Sequence, residues 1–340
     1  MKKYLLPQEG KFYKACMHLH TTVSDGQRTP EEVKAAYKAQ GYSILAYTDH
    51  EVMVPHNELA DDEFLPITSY EVSVNLGERP LPFTYIKTYH LNLYAKDKNA
   101  TVSPVWKKER VWGGFEKWAA PEQFEVDYPD LTYSVESINK MIKTANENGF
   151  LVSYNHPVWS TQDYTDYSGL KGVWGVEVHN TGCNLAGYPE DDQAFNDLLM
   201  QGEKVFPLAT DDSHSTGDCF GGWIMVKAPA LEYDAVMQAL EKGDFYASTG
   251  PEIKELTIED GVVHLECSNA REVRLTTERR YTCCKRDENA LITSVDFDIN
   301  GYINDCGFEN KYRKGFIRLT VVDEKGREAH TRAFFEDELK

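Results

Sequence analysis

Tyr42-Ser43-Ile44-Leu45-Ala46-Tyr47-Thr48-Asp49-His50 is an apolar run of strand length that ends abruptly in ionisable side chains. A buried strand that runs directly into such residues is how α/β folds deliver groups to a site beyond the strand's end. Immediately upstream, Thr29-Pro30-Glu31-Glu32 opens a helix. Threonine can cap it, proline suits its first turn, and the acids face the positive end of the dipole. That helix is expected to run to about Gln40 and stop at Gly41.

Working outward, the same event recurs. Before the helix stands Met17-His18-Leu19-His20-Thr21, where strand geometry points His18 and His20 to one side, with Ser24-Asp25-Gly26 in the following loop. After it come Thr68-Ser69-Tyr70-Glu71-Val72, with Glu71 expected at its strand's far end, and His90 within the alternating Thr88–Tyr94. Strands 150–154, 173–178 and 204–209 then deliver Asn155-His156-Pro157, Glu177 with His179, and Asp211-Asp212-Ser213-His214. Helices are expected near 134–148, 191–201 and 233–242. The βα rhythm implies parallel strands with crossover helices, in a barrel or a doubly wound sheet. One such ending is equally well explained by surface histidines. Seven in succession argue for convergence on one cavity.

The ligand types narrow the chemistry. Imidazole and carboxylate without thiolate suit Zn, Mn, Fe or Co. Nine candidate ligands exceed what one tetrahedral ion needs, so two or three divalent ions are expected, with a carboxylate such as Glu71 able to bridge. Two neighbouring ions can hold an activated hydroxide and clamp a phosphoryl or acyl oxygen.

Composition bounds the partners. A net charge of -19 argues against a protein that tracks polymeric nucleic acid, while bound cations would still let a small anionic substrate approach. No signal peptide and no membrane span is evident, and the seven cysteines, Cys306 and the adjacent Cys283–Cys284 included, read as reduced thiols in a cytoplasm.

The ordered motifs His18-x-His20, Ser24-Asp25-Gly26, Thr48-Asp49-His50, Glu71, His90, Asn155-His156-Pro157 and Asp212-x-His214 resemble those of the PHP (polymerase and histidinol phosphatase) superfamily. The resemblance spans about residues 13–250. It implies a distorted (β/α)7 barrel with a trinuclear metal site, phosphoesterase activity, and His18, His20, Asp25, His50, Glu71, His90, His156, Asp212 and His214 as ligands. Gly243–Pro251 with the β-rich tail is similar to PHP proteins of the CehA/McbA type, some of which cleave carbamate esters.

Around that set, Asp49 is expected to orient a ligand or backbone near His50, and His179 to touch substrate or to sit hydrogen-bonded in the core; both are candidate catalytic residues. Asp211 must point away if Asp212 is a ligand. His56, His264 and His330 read as ordinary loop or surface histidines, and Arg28 and Lys171 are the basic residues that could meet a phosphate. The expected organisation is a barrel over 1–251 and a small all-β sandwich-like domain over 252–340, where strand and turn signals replace the βα rhythm. Residues 97–131 interrupt the barrel and carry Trp106, Trp112 and Trp118, half the tryptophans; they are read as a covering flap or a binding loop.

The function expected is hydrolysis of a small phosphorylated metabolite or nucleotide through a metal-activated hydroxide. The alternatives are a carboxyl ester, carbamate or amide hydrolase with the same metal site, and a non-catalytic binding module that keeps the fold. Cationic side chains above the metals would favour phosphate, and an apolar tryptophan wall a neutral ester.

Overall fold

The computed structural model describes residues 2–77, 86–190, 192–287, 290–304 and 315–340. Cys306 and Asp191, the expected first residue of a helix, lie outside them. The N-terminal part runs β1 (Lys3–Tyr4), β2 (Lys11–Cys16), α1 (Pro30–Lys38), β3 (Tyr42–Tyr47), β4 (Leu65–Asn75), β5 (Thr88–Ala95), α2 (Val135–Glu147) and β6 (Phe150–Tyr154). There follow α3 (Tyr164–Tyr167), β7 (Gly175–Asn180), α4 (Thr181–Leu185), α5 (Gln193–Met200), β8 (Phe206–Thr210), β9 (Trp223–Ala228), α6 (Tyr233–Lys242) and β10 (Phe245–Ser248). The remainder is β11 (Ile253–Glu259), β12 (Val262–Ala270), β13 (Glu272–Thr277), β14 (Cys283–Arg286), β15 (Ile292–Asp298), α7 (Asn300–Asn304), β16 (Phe316–Val322), β17 (Glu328–Thr331), β18 (Phe334–Phe335) and α8 (Glu336–Leu339).

Local chemistry sets the helix ends. Thr29 accepts from the Glu32 amide while the Glu32 side chain returns to the Thr29 backbone, closing a reciprocal cap with Pro30 in the first turn. Ser134 caps α2, and Gly243 ends α6 at φ 72°.

The larger sheet runs β14-β13-β16-β17-β10-β9-β2-β3-β4-β5-β6-β7-β8, with β18 on β16. Pairs β2/β3, β3/β4, β6/β7 and β7/β8 are parallel. Strand β5 is antiparallel to both β4 and β6, which departs from the expected run of parallel strands. The antiparallel return also corrects one expectation about position. Glu71 lies in the middle of β4, which continues to Asn75, whereas His90 lies within β5 as expected, near its start. Beyond the strand ends the ladder continues. Thr48 N donates to Leu19 O at 3.0 Å, His20 N to Ser213 O at 2.9 Å, and Asp212 N to His18 O at 2.8 Å. The segment after β2 is thereby clamped between the segments after β3 and β8, which brings their side chains to one place.

The apolar layers lie outside this ring. Ile138, Met141 and Ile142 of α2 and Phe195, Leu198 and Leu199 of α5 bury one cluster, and Val236 and Leu240 of α6 another. In the C-terminal part, β1-β11-β12-β15 form a second, antiparallel sheet that packs across β13, β16 and β17 through Leu256, Val263, Leu265, Val273, Leu319 and Val321. Strand β1 joins this sheet by pairing with β11, so the chain's start crosses the division expected at residue 251. No helix among the described residues is long and apolar enough to cross a membrane.

Candidate metal centre

Glu71 organises the site. It is 1% exposed, on β4, the last of the three parallel strands that precede the antiparallel return. Its Oε1 lies 3.3 Å from His18 Nε2, 3.1 Å from His90 Nδ1 and 3.5 Å from His156 Nε2, and it accepts from Asn155 Nδ2 at 3.0 Å. Its Oε2 faces His50 Nδ1 at 3.1 Å and His20 Nε2 at 3.5 Å. One carboxylate therefore presents each oxygen to a different set of imidazoles.

Asp212 adds a second acid: Oδ1 lies 3.0 Å from His20 Nε2 and 3.2 Å from His18 Nε2. A third grouping stands to one side, where Asp25 is 3.5 Å from His214 Nε2, 3.7 Å from His50 Nε2 and 3.8 Å from His20 Nδ1. Ligand atoms of His20, Asp25, His50 and His214 fall within 4.8 Å of one another, as do those of His18, His20 and Glu71, and those of Glu71, His90 and His156. His20 faces two groupings, and as a neutral imidazole it can give its lone pair to only one. The nine residues expected as ligands are brought together.

The backbone is strained where the site is built. Glu51, His156 and Asp212 hold positive φ values of 60°, 27° and 52°, conformations uncommon for residues other than glycine. Gly26 is required by a close approach: a Cβ there would stand 2.4 Å from the His20 carbonyl oxygen. Its absence lets the Ser24–Gly26 turn press Asp25 against the histidines.

Electrostatics follow from burial without lysine or arginine. Among the described residues no lysine or arginine pairs with Asp25, Glu71 or Asp212. Burial opposes ionisation of Glu71, yet His90, His18 and His50 outweigh it and hold the carboxyl well below its ordinary range. Asp212 is held down against burial in the same way, chiefly by His18 and His20. Burial and then the neighbouring His20 push His50 to about 3. Left without hydrogen-bond partners are His20 Nδ1, His50 Nδ1 and Glu71 Oε2. Buried polar atoms are rarely orphaned, and three on converging ligands mark the lone pairs that a cation would take up. The donor set fits borderline divalent ions.

The remaining expected residues are placed as follows. Asp49 accepts from Thr21 N and Oγ1 and from Ser24 N and Oγ, so it holds the turn that carries Asp25. His179 stands outside the cluster, with Nδ1 2.8 Å from Glu190 and Nε2 3.1 Å from Thr181 Oγ1. A register shift in the β7/β8 pairing between Glu177 and His179 breaks the strand alternation that would have put both on one side. Asp211 points away, taking donors from Tyr37, Thr181, Phe220, Gly221 and Gly222. His56 packs on Tyr47, and His264 and His330 pair with Asp296 and Glu328, remote from the cluster. Arg28 is held by Ser215 O and Cys219, and Lys171 by Glu203.

A cavity of about 360 Å³ opens above the groupings, in the size range of small-molecule sites. Asp25, His50, Glu71, His90, His156, Asp212 and His214 form its floor, and Ser73, Asn75, Trp112 and Trp159 its walls. Trp112 packs on His50 at 5.6 Å, and Trp159 on His156 at 5.0 Å and His90 at 5.4 Å. The 97–131 segment thus both covers and lines: Trp106 is buried and donates to Glu51 O, Phe115 packs on Val23 and Val52, and Trp112 reaches the cavity. Sequence reasoning gave no role to Asn155, Asn75 or Trp159. Asn155 carried a signal, since it directly precedes His156 in a recognised motif.

No protein-family profile matches the chain, and no curated protein matches it in sequence. Its structural neighbours include a two-domain protein from Bacteroides vulgatus containing a predicted PHP-like metal-dependent phosphoesterase, at 16% identity over 98% of both chains with a TM-score of 0.46. An amidohydrolase from Chromobacterium violaceum, solved with sulfate and no metal, is 18% identical over 60% of this chain and 88% of its own, with a TM-score of 0.39. A lesion-specific endonuclease from Pyrococcus furiosus is 12% identical over 68% of this chain and 56% of its own, with a TM-score of 0.40.

Proposed function

We propose that the chain is a metal-dependent hydrolase of small phosphate esters, its ions held by His18, His20, Asp25, His50, Glu71, His90, His156, Asp212 and His214. Glu71 carries the reading: a buried carboxylate with imidazoles at both oxygens, no lysine or arginine beside it among the described residues, and one oxygen left without a donor. When bound, divalent ions polarise a phosphoryl or acyl oxygen and make a hydroxide available near neutral pH. The chain's own residues do the rest. Asp49 fixes the Asp25 turn, Asn155 fixes Glu71, and the tryptophan walls exclude water and orient the leaving group.

Charge counting links the number of ions to the bond cleaved. Asp25, Glu71 and Asp212, with Glu177 behind them, are four carboxylates. Three divalent ions would leave a surplus of about two positive charges for an anionic phosphoryl group, whereas two ions would only balance the acids. Three groupings, one around Asp25 and two that share Glu71, support three ions, of Zn, Mn or Fe. The second reading, a carboxyl ester, carbamate or amide hydrolase, draws on the walls: Trp112 and Trp159 are present, and no lysine or arginine lines the cavity among the described residues. A metal-reconstituted screen of phosphomonoesters, phosphodiesters and carboxyl esters in parallel tests the choice. Phosphate esters should turn over, with inorganic phosphate as a competitive inhibitor. If phosphate is inert at millimolar levels while a carboxyl ester turns over, the second reading takes its place.

The same reading takes strands β2 to β8 as a distorted (β/α)7 barrel, 1–251 as the hydrolase unit and 252–340 as the all-β unit. The charge of -19 supports a small soluble substrate over a polymeric nucleic acid, and reduced thiols support a cytoplasmic site of action.

A further inference from the structure

Glu177 is 3% exposed, directly behind the cluster on β7, and its ligand atom lies close enough to those of His18 and His156 to hold an ion with them. The hydrogen bonds say otherwise. Oε1 accepts from His18 Nδ1 at 2.7 Å and from Thr210 Oγ1 at 2.7 Å. Oε2 accepts from the His156 amide at 3.0 Å and from Asn180 Nδ2 at 3.0 Å. Four donors from four segments of chain take up the carboxylate's four lone-pair positions. The Asn180 amide is not free to turn: its oxygen accepts from Cys183 N at the start of α4, so its NH₂ faces the acids. A cation among these groups would meet three N–H or O–H dipoles with the wrong sign.

We infer that Glu177 is a positioning residue that keeps the proton of His18 on Nδ1 and so aims the Nε2 lone pair at Glu71 and Asp212. This rests on the reading of the cluster as a metal centre. A carboxylate can only accept here, so the His18 Nδ1 facing it must carry the hydrogen, and Nε2 is left as the ligand atom. The same residue steadies two further ligands. It holds the amide of His156, whose φ of 27° needs external support, and it shares the Asn180 NH₂ with Asp212 Oδ2, 3.1 Å away. His18, His156 and Asp212 come from three different strand ends, and one carboxylate registers all three.

The test is Glu177→Gln in the full chain. Glutamine has the same shape, but its NH₂ must face two of the four donors. Toward His156 N and Asn180 Nδ2 the clash has no relief. Toward His18 and Thr210 it is relieved when the hydroxyl turns and the imidazole moves its proton to Nε2, which removes the ligand lone pair. Zn²⁺ affinity, read by competition with a chromophoric chelator, should fall by roughly 10–100-fold, while the stoichiometry at saturating Zn²⁺ stays that of the wild type. Loss of a whole equivalent at saturation would make Glu177 a ligand and overturn the inference, as would unchanged affinity. A readout that needs no variant is ¹⁵N-histidine NMR of the Zn²⁺-loaded wild type, where His18 should show a protonated Nδ1; a protonated Nε2 contradicts it. Wild-type protein that takes up no Zn²⁺ at all would refute the metal reading itself, a result distinct from either failure above.

Discussion

Glu272 in the C-terminal sandwich and Glu71 in the cluster are both buried carboxylates, yet their surroundings differ in kind. Glu272 lies between the guanidinium groups of Arg274 and Arg286, and Arg274 reaches on to Glu328 at 3.1 Å. Arginine is always charged, so this compensation is built in. Glu71 has imidazoles on both oxygens and no lysine or arginine among the described residues. An imidazole can supply either a positive charge or a lone pair, but never both at once. The sandwich closes its own charge balance, while the cluster closes it only by protonating histidines or by taking cations from outside. That contrast separates scaffold from site.

The largest expected effect sharpens it. Glu71→Gln should lower activity by more than the ~10–100-fold typical of residues that merely support ligands, because it serves two groupings at once. Glu272→Gln should leave activity within about twofold and cost about 1–3 kcal/mol of stability, read by denaturant unfolding. If Glu272→Gln proves the more damaging to turnover, the division between scaffold and site is wrong.

Metal removal comes next. A chelator should abolish activity, and ions at 100 times their dissociation constant should return about 2.7 kcal/mol of stability for each independent site filled. Hydrogen exchange should place that gain in β2, β3 and β4, leaving β12 and β15 unchanged. A uniform gain would mean that the ions do not act at the cluster alone.

Gly26→Ala comes third. Its methyl would meet the His20 carbonyl at 2.4 Å, so the turn must shift, at about 1–3 kcal/mol, and carry Asp25 away from His50 and His214. Ion affinity should fall with it; unchanged affinity would remove Asp25 from the site. Trp112→Ala should have the smallest functional effect. Losing one aromatic wall is worth about 0.5–1.5 kcal/mol, a rise in KM of roughly 2- to 10-fold for aromatic substrates with kcat retained. His56→Ala, packed on Tyr47 away from the cavity, is the control and should be silent in the same assay.

The parts of this account that a sequence carries are those written locally. Tyr42–Tyr47 followed by Thr48-Asp49-His50 is legible because an apolar run, a helix stop before it and a polar break after it all lie within ten residues. The same holds for His18-x-His20, where two-residue spacing alone places both rings on one side. The direction of β5 was not legible: an alternating strand reads identically in either direction, so the antiparallel return, and with it the mid-strand place of Glu71, had no signal. His179 and Glu177 looked equivalent at i and i+2, and only the irregular pairing with β8 separates them. Pairing of Lys3–Tyr4 with β11 joins residues about 250 apart, beyond any local pattern. In the 97–131 segment composition showed that tryptophans matter, but tertiary packing decides that Trp106 is buried while Trp112 lines the cavity.

Whether cations close the charge balance around Glu71 can be read from elemental analysis of gently purified, active protein. Two or three equivalents of a divalent transition metal per chain are expected. Only trace metal, in a preparation that keeps full activity, would contradict closure by cations.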